Sequence, residues 1–506
     1  MDVLVVGAGP VGLAMSCLLA RRGIRVRLVD AATGPATTSR AIAVHPRTLE
    51  LCDQLGVLPD MLTRGQVINA FTLHANGRRL ARLDADYSRM PTRHPFTLCI
   101  DQVRTEQVLR DTAARHGVQV EWDTRLESLS HDDAAAHVVL RRAGGAAENL
   151  TVPWLVGCDG GHSTVRKALG FDLVGTSSET WMIADAPVDA DLPRNSIHWV
   201  RNRGRTMMMV PMSTPGHWRL LDTAVVSRPD PDPAAMFSRE LSRGLGRAVR
   251  VHEPTWVSVF TFQQRMVTRL RAGRCFVAGD AAHVHSPASG QGLNTGLQDA
   301  VNLAWKLAMV IDGRSAPAVL DTYADERIPV GRNLLKSTRT ATSLVQLRNA
   351  AAGVALPVVF TIVRAVPALR RKIQRKVLGG VSGLNLAYAP GPLSLPTARP
   401  CPGPQPGQRV TQATLSGPLL EGTSGWVLVH DGGEAPEGDD WLDVRPVEDS
   451  AIRAQLGLST GDWLLIRPDG YIAARGSGLT PGTVGDLGVF TTPGPRLQEK
   501  ATEATA

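Results

Sequence analysis

The stretch that decides the fold is residues 2–12, DVLVVGAGPVG. Its first five residues form a short, mostly apolar run, which is typical of a strand buried on both faces. Glycines follow at positions 7, 9 and 12, and residues 13–22 predict a helix that ends at Gly23. A second predicted strand, over residues 25–30, ends on the acid Asp30. This order of strand, glycine turn, helix and strand predicts a βαβ unit that binds a dinucleotide.

Each part of the glycine turn has its own physical role. Gly7 allows the tight turn, Gly9 lets the backbone approach a pyrophosphate, and Gly12 lets helix and strand pack closely. The helix N-terminus presents free N–H groups and partial positive charge to the phosphates. Asp30 is placed to accept hydrogen bonds from an adenosine ribose and would repel a 2′-phosphate. On this motif alone, the ligand could be FAD or NAD.

The composition excludes several classes of protein. A chain of 506 residues with 43% hydrophobic and 20% charged residues predicts a globular protein of about three domains. The net charge of +8 rests on 55 basic residues, of which six are lysine, and no basic run accompanies a nucleic-acid-binding motif. We therefore expect no nucleic-acid partner. The longest apolar run, residues 354–363, is interrupted by Pro357 and is shorter than the ~20 residues of a membrane span, so we expect no membrane partner.

The cysteines predict neither a metal site nor redox chemistry. Six cysteines lie far apart and form no C-x-x-C pair, which argues against a zinc site and against a dithiol. Scattered single cysteines are typical of a reducing cytosol, and the first residues predict a strand rather than a signal peptide. We expect a cytoplasmic protein.

Two further motifs combine a glycine and an acid. The first is residues 155–166, LVGCDGGHSTVR, which predict a strand, a sharp turn at Asp159 and a helix start. The second is residues 275–283, CFVAGDAAH, again a strand that ends in a Gly-Asp pair. Residues 287–294, PASGQGLN, then open a long predicted helix with apolar residues at helical spacing. These two motifs decide between the ligands that the first motif left open.

The three motifs in this order resemble the single-component FAD-dependent aromatic hydroxylases, whose prototype is the p-hydroxybenzoate hydroxylase fold. The similarity is greatest to the hydroxylases of aromatic polyketide antibiotic pathways, including anhydrotetracycline-type oxygenases, and to rifampicin monooxygenase. Residues 39–50 and 102–106 also match, and the resemblance covers roughly residues 1–345. One departure is Ala288-Ser289, where relatives often carry a glycine before Gly290.

The resemblance implies an α/β fold: a Rossmann-like FAD-binding domain, an antiparallel β-sheet substrate domain and a C-terminal thioredoxin-like domain. Only Cys401 lies beyond residue 275, so the last domain would have no redox dithiol. The predicted domains are the first part of the FAD-binding domain (1–175, with substrate-domain insertions around 70–100), the substrate domain (176–265), the second part of the FAD-binding domain (266–345), a helical connector (346–392) and the C-terminal domain (393–506).

The resemblance also places the parts of FAD on particular residues. The glycine turn would hold the pyrophosphate, Asp30 the adenosine ribose, and Asp280 the ribitol. The backbone N–H groups of residues 292–294 would face the pyrimidine ring, where a helix N-terminus stabilises negative charge on reduced flavin. The implied cofactor-binding residues are Gly7, Gly9, Val11, Gly12, Asp30, Arg40, Gln102, Leu126, Asp159, Gly279, Asp280, Gly292, Leu293 and Asn294.

Four of these residues need a separate description. Arg40 and Gln102 would contact the pyrophosphate and ribitol side, and the strand at Leu126 would lie against the adenine. The turn at Asp159 shapes the FAD cleft and influences the nicotinamide cofactor in the resembling family. A purely structural turn acid is the alternative for Asp159.

The resemblance implies an FAD-dependent monooxygenase that consumes NADPH or NADH and O2. It would hydroxylate a polycyclic aromatic or phenolic natural product through a flavin C4a-hydroperoxide. No side chain would be catalytic, because the flavin carries the chemistry with Pro287 and Gly292 beside its ring. Two alternatives stay open: Baeyer–Villiger or antibiotic-inactivating oxygenation on the same scaffold, and a non-catalytic flavoprotein scaffold. We expect a monomer or a homodimer.

The predicted substrate domain contains an apolar cluster. Alternating runs between residues 176 and 265 predict antiparallel strands. Met207, Met208 and Met209, with Trp199 and Trp218, are candidates to line an adaptable apolar pocket; the alternative is plain core.

Overall fold

The computed structural model describes residues 1–38, 41–84, 92–202, 204–224, 231–285, 290–346, 380–388, 391, 393–395, 397, 402–410, 425–432 and 441–479. The helices of these residues are α1 (Pro10–Ala20), α2 (Pro46–Gln54), α3 (Leu58–Arg64), α4 (Gln102–Arg115), α5 (Thr164–Ala168), α6 (Pro233–Leu245), α7 (Gly292–Ile311), α8 (Thr322–Gln346) and α9 (Ser450–Leu456). Short 3-10 helices lie at Gly279–Ala281 and Pro317–Asp321.

The strands of the first third of the chain are β1 (Val3–Val6), β2 (Val26–Val29), β3 (Ala43–Val44), β4 (Gln66–Ile68), β5 (Ala70–Ala75), β6 (Arg78–Asp84), β7 (Thr97–Cys99), β8 (Val120–Glu121), β9 (Thr124–His131), β10 (Ala136–Arg142), β11 (Ala147–Val152) and β12 (Trp154–Gly157). The later strands are β13 (Val174–Asp189), β14 (Ser196–Asn202), β15 (Arg205–Pro211), β16 (His217–Asp222), β17 (Arg250–Val251), β18 (Trp256–Met266), β19 (Arg271–Ala272), β20 (Cys275–Val277), β21 (His283–Val284), β22 (Trp426–His430), β23 (Leu442–Pro446), β24 (Asp462–Ile466) and β25 (Ile472–Ser477).

A six-stranded sheet has the order β19-β20-β12-β1-β2-β8. Strands β20, β12, β1, β2 and β8 run parallel, and only β19 is antiparallel. Each residue of β1 is buried, as expected for a strand covered on both faces. The predicted βαβ unit is confirmed. Because carboxyl ends of parallel strands meet at one edge, all three glycine motifs come together there.

A nine-stranded sheet has the order β21-β18-β13-β16-β15-β14-β5-β6, with β17 beside β13. Its strands between residues 174 and 266 pair antiparallel, as the alternating sequence predicts. One face buries apolar side chains against α6, and the other packs against the small sheet β3-β7-β4. The α/β class is confirmed, whereas the domain boundaries stay a prediction.

The described part of the C-terminal region forms a four-stranded sheet in the order β23-β22-β24-β25. Strands β24 and β25 are antiparallel, and Gly470 between them has a φ of +79°. Asp469 and Gly470 therefore lie in the turn of a β-hairpin. This sheet packs on α7, where Trp305 and Trp426 meet edge to face with ring centroids 5.5 Å apart. Its thioredoxin-like identity stays a prediction.

The described residues contain neither a membrane-spanning helix nor a cluster of metal-binding side chains. No helix among them is long and apolar enough to cross a membrane. No group of three or more His, Cys, Asp or Glu side chains in these residues is arranged to hold a metal ion.

Candidate active site

The three glycines of the first motif have different surroundings. Gly7 has a φ of +104°, and a Cβ there would lie 2.5 Å from the carbonyl oxygen of Cys158. A Cβ on Gly12 would lie 1.8 Å from the carbonyl oxygen of Gly7. A Cβ on Gly9 would meet no atom of the described residues within 4 Å. Gly7 and Gly12 are therefore required by packing, whereas Gly9 leaves an open surface that fits an approaching ligand.

Asp30 joins the ends of β1 and β2. One carboxylate oxygen accepts a hydrogen bond from the backbone N–H of Ala8 at 2.6 Å, and the other accepts from Ala32 at 2.8 Å. Asp30 is only partly buried, and each carboxylate oxygen can accept a further bond. The carboxylate is thus fixed at the edge where the ribose is predicted, and its contact with the ribose stays a prediction.

Helices α1 and α7 both begin without a side-chain cap from the described part of the chain. The residues that precede them, Gly9 and Gln291, make no capping hydrogen bond from a side chain, and neither first turn contains an acid. The first intrahelical bonds come from Leu13 and Thr295. Since the N–H groups of a first turn have no partner within their helix, both helix starts are suited to binding an anionic ligand.

Asp159 of the second motif lies at the same edge, but its carboxylate is hydrogen-bonded to groups of the protein itself. One carboxylate oxygen accepts from the hydroxyl of Ser163, and the other accepts from the backbone N–H groups of Thr164 at 2.6 Å and Val165 at 3.1 Å. Burial raises the pKa of the Asp159 carboxyl, against these hydrogen bonds. This is the geometry of an acid that closes the start of α5. An influence on the nicotinamide cofactor stays a prediction.

The third motif packs directly on the first. Gly279 has a φ of +62°, and a Cβ there would lie 2.8 Å from Cγ2 of Val11. A Cβ on Gly296 of α7 would lie 2.7 Å from the same atom. Val11 of the first motif thus packs between Gly279 and Gly296. Asp280, the residue after Gly279, is exposed. The predicted contact of Asp280 with ribitol fits this position and stays a prediction.

Asp299 was not predicted from the sequence. It lies on α7 and is almost fully buried. Its Oδ2 accepts from the backbone N–H of Gly279 at 3.1 Å and from Nε2 of His283 at 2.6 Å, and its Oδ1 accepts from Nε of Arg327 at 2.7 Å. Burial alone would raise the pKa of this carboxyl, but Arg327 and His283 outweigh burial and hold the pKa at about 2. Asp299 therefore fixes the turn before Asp280. An acid in a largely apolar helix was the signal, because a buried charge requires partners.

Asn294 ties the start of α7 to β3. Its side-chain amide donates to the carbonyl oxygens of Ala43 at 2.9 Å and Gly290 at 2.7 Å, and its Oδ1 accepts from the backbone N–H of His45 at 2.8 Å. The side chain is therefore structural, and only the backbone N–H is left to face a ligand. Beside it, a Cβ on Gly292 would meet, among the described residues, only Nε2 of His285, at 3.6 Å. The backbone of Gly292 can thus be approached closely, and Leu293 follows it at the edge of the core.

Four other predicted site residues have different outcomes. Gln102 accepts from the backbone N–H of Ala41 at 3.1 Å and donates to Glu106 at 2.8 Å, so it supports the loop before β3. The side chain of Leu126 is buried in the core, so only its backbone can face the adenine. The roles of both residues toward FAD stay predictions. Arg40 and Pro287 lie outside the described residues.

The predicted methionine and tryptophan cluster is divided between two faces. Trp199 pairs with Met208 across β14 and β15, and both join a cluster that includes Ile42. Met207, Met209 and Trp218 belong instead to the core beneath α6. Strand alternation requires this division. Only the Trp199 face is turned toward the loop that precedes β3.

Comparison with known proteins decides the family. Residues 1–338 match the family described as FAD binding domain. The chain belongs to this family. The 6-methylpretetramide 4-monooxygenase of Streptomyces rimosus is 49% identical over 512 residues, which are 95% of this chain and 92% of that relative. The anhydrotetracycline monooxygenase of the same species is 32% identical and covers 93% of this chain and 94% of its own length.

A solved structure agrees with these relatives. The anhydrotetracycline hydroxylase from Streptomyces rimosus superimposes with a TM-score of 0.76 at 31% identity, over 96% of this chain and 98% of that one. The resemblance predicted from the motifs is therefore confirmed, and the chain is an FAD-dependent monooxygenase. FAD is its cofactor, and NAD(P)H and O2 are typical co-substrates of such enzymes. The open surface at Gly9, the uncapped starts of α1 and α7 and the exposed Asp280 fit this cofactor.

Proposed function

We propose that this chain hydroxylates a polycyclic aromatic or phenolic natural product with NAD(P)H and O2. One observation carries the proposal. Ile42 packs in the aromatic cluster of the nine-stranded sheet, and the next residue, Ala43, accepts a hydrogen bond from Asn294 at the start of α7. Two consecutive residues, Ile42 and Ala43, therefore join an aromatic wall to the helix start that is expected to face the flavin.

The wall is suited to a flat aromatic substrate. Four aromatic side chains on this face are only partly buried, namely Phe71, Trp199, Trp256 and Phe260. Such rings favour offset or edge-to-face contacts with another aromatic system. An apolar wall also excludes water from the site, which limits loss of reducing equivalents to hydrogen peroxide.

The wall also contains one ion pair. Arg219 donates from Nε to Asp185 at 2.7 Å and from Nη2 at 2.6 Å, and both side chains are buried. The guanidinium carbon lies 5.6 Å from the ring centroid of Trp256. Because the two charges neutralise each other, the pair supports Trp256 without making the wall charged.

The chain's own residues bind, orient and shield the reacting groups. Bound FAD would supply the two-electron reduction and the transfer of one oxygen atom from O2. The first-turn N–H groups of α7 would stabilise negative charge on the reduced flavin, and Asn294 holds that turn in place. In the balanced reaction, an aromatic C–H, O2, NAD(P)H and a proton give the C–OH product, water and NAD(P)+.

The relatives support the substrate class. The relative named 6-methylpretetramide 4-monooxygenase covers 95% of this chain at 49% identity, so 6-methylpretetramide is the first compound to test. A second candidate function is antibiotic inactivation, because the rifampicin monooxygenase of Streptomyces venezuelae is 36% identical. That match covers 68% of this chain and 71% of the relative, so we rank it second.

The test is turnover of the FAD-saturated protein with NAD(P)H under labelled oxygen, with 6-methylpretetramide and rifampicin in parallel. We expect 6-methylpretetramide to stimulate NAD(P)H oxidation and to gain one labelled oxygen on a ring carbon. Turnover of rifampicin alone would favour the second function, and an inserted ring oxygen would indicate Baeyer–Villiger chemistry. If neither compound nor a wider phenolic panel stimulates oxidation, the proposal is wrong.

A matched pair of variants tests the wall. Met208 lies on the Trp199 face, whereas its neighbour Met209 lies in the core beneath α6. Met208→Ala should raise the KM for the substrate or change the product ratio. Met209→Ala should lower the free energy of unfolding by about 2–5 kcal/mol and leave KM unchanged. Equal KM values for wild type, Met208→Ala and Met209→Ala would show that the substrate does not contact the Trp199 face.

A further inference from the structure

We infer that Tyr388 is a positioning residue for the FAD site and acts through Arg327 and Asp299. Tyr388 belongs to the described segment 380–388, beyond the FAD-binding family match that ends at residue 338. The inference goes beyond the proposed hydroxylation, because it concerns how the cofactor site is held and does not depend on the substrate.

Arg327 is the centre of this arrangement. It lies on α8, is almost fully buried, and donates to three groups from three different nitrogens. Nε donates to Asp299 at 2.7 Å, Nη2 donates to the carbonyl oxygen of Thr295 at 3.1 Å, and Nη1 donates to the hydroxyl of Tyr388 at 3.1 Å. Because a guanidinium is planar and its donors have fixed directions, three partners define its orientation.

Two of these partners lead directly to the cofactor edge. Asp299 also accepts from the backbone N–H of Gly279, the residue before Asp280. Thr295 is the residue after Asn294, in the first turn of α7. The orientation of Arg327 therefore affects both the turn that carries Asp280 and the helix start beside the expected flavin ring.

The third partner, Tyr388, is held in place by residues of the C-terminal sheet region. The ring of Tyr388 lies 4.4 Å from the ring of Tyr471, centroid to centroid. The guanidinium carbon of Arg467 lies 5.1 Å from the Tyr388 ring centroid. Arg467 is itself paired with Asp469 and with Glu326, the neighbour of Arg327 on α8. All of these side chains are buried, so the Tyr388 hydroxyl has little freedom to move.

The consequence is that residues far from the flavin help to set its binding site. Without the Tyr388 hydroxyl, the guanidinium keeps Asp299 but loses one of the three bonds that define its plane. The Gly279 turn and the first turn of α7 would then sample more positions. FAD would bind less tightly and its ring would lie in a less uniform environment.

The test compares Tyr388→Phe with Tyr471→Phe. Both variants remove one phenolic hydroxyl from the same ring pair, but only Tyr388 reaches Arg327. The measurements are the Kd for FAD from titration of apoprotein, the visible circular dichroism of bound flavin, and amide exchange of residues 277–283 in apoprotein. For Tyr388→Phe we expect a Kd raised about three- to tenfold, an altered flavin spectrum and faster exchange, with thermal stability close to wild type. For Tyr471→Phe we expect wild-type values of all three.

Arg327→Lys is the second variant. It keeps a positive charge opposite Asp299 but cannot bond all three partners, so FAD affinity should fall further than in Tyr388→Phe. The inference is overturned if Tyr388→Phe and Arg327→Lys bind FAD with wild-type affinity and spectrum. It is also overturned if Tyr471→Phe reproduces the changes of Tyr388→Phe, because general loosening would then explain them. None of these measurements needs a substrate, so their outcome is independent of the proposed hydroxylation.

Discussion

Three helices belong to the three glycine motifs of the six-stranded sheet, and they begin in two different ways. Helix α5 is closed by its own chain: Ser163 and Asp159 accept its first N–H groups. Among the described residues, no side chain caps α1 or α7 in this way. An uncapped helix start leaves N–H groups for water or a ligand. The difference separates the part of the edge that stabilises the fold from the part where we expect FAD to bind.

The largest expected effect comes from the glycines of the first turn. Gly9→Val should weaken FAD binding at least about a hundredfold, because the added side chain enters space that no atom of the described residues occupies and that the pyrophosphate is expected to fill. Its apoprotein should unfold like wild type. Gly12→Ala should instead destabilise the apoprotein by about 3 kcal/mol or more, because its Cβ overlaps the carbonyl of Gly7. FAD titration and urea unfolding of both apoproteins distinguish these outcomes, and a stable Gly12→Ala protein would contradict the packing role.

The next effect separates the two acids of the edge. Asp280→Ala should raise the Kd for FAD about ten- to a hundredfold, since a charge-assisted hydrogen bond is lost. Asp159→Ala should lower the free energy of unfolding by about 1–2 kcal/mol through loss of the α5 cap, with a smaller change in FAD affinity. If Asp159→Ala mainly weakens FAD binding and Asp280→Ala mainly lowers stability, the roles of the two acids are wrongly assigned.

A smaller effect concerns the start of α7. Gly292→Ala places a Cβ at an ordinary contact distance from His285, so apoprotein stability should not change. Gly292→Val places more bulk where the backbone is expected to meet the flavin. If Gly292→Val still binds FAD, it should release about twofold more hydrogen peroxide per NAD(P)H than wild type. Wild-type flavin content and product yield in Gly292→Val would show that the start of α7 does not lie beside the flavin ring.

The smallest effect is a pH dependence of stability, which comes from a pair of buried histidines outside the motif edge of the six-stranded sheet. Nε2 of His74 and Nδ1 of His198 are 3.1 Å apart, and burial lowers the pKa of each ring to about 4 from an ordinary 6.5. The unfolded chain therefore binds more protons below pH 6.5, and stability is lost as the pH falls toward 4. Between pH 7 and pH 5, the free energy of unfolding of apoprotein should fall by about 1–3 kcal/mol.

His74→Gln should remove roughly half of that pH dependence. Asp299 stays ionised through the same range, because its pKa is about 2, so FAD affinity should change less than stability. An equal pH dependence in wild type and variant would show that the histidine pair is not the cause.

What the sequence could predict was local. Each glycine motif is contiguous, so strand, turn and helix start could be read together, and the structure brings all three to one edge. The open surface at Gly9 follows from the same motif. Strand alternation could also have separated Met208 from its neighbours, because the register of β14 and β15 assigns alternate residues to opposite faces.

What the sequence could not predict depends on distant pairing. Arg327 is 28 residues from Asp299 and 61 from Tyr388, and no local pattern connects them. The capping role of Asp159 depends on which way its side chain turns, which the spacing to Ser163 permits but does not require. The support that Gln102 gives to Ala41 likewise joins residues 61 apart.

The measurement that tests the account most directly is amide exchange with and without FAD at the three helix starts. Residues 11–12 and 292–294 should become at least about tenfold better protected when FAD binds, because their N–H groups precede the first intrahelical bonds of α1 and α7 and would gain partners. Residues 164–168 should change little, since their N–H groups already have partners in the protein. Protection confined to residues 164–168, or the same modest protection at all three helices, would contradict the assignment of α1 and α7 to the cofactor.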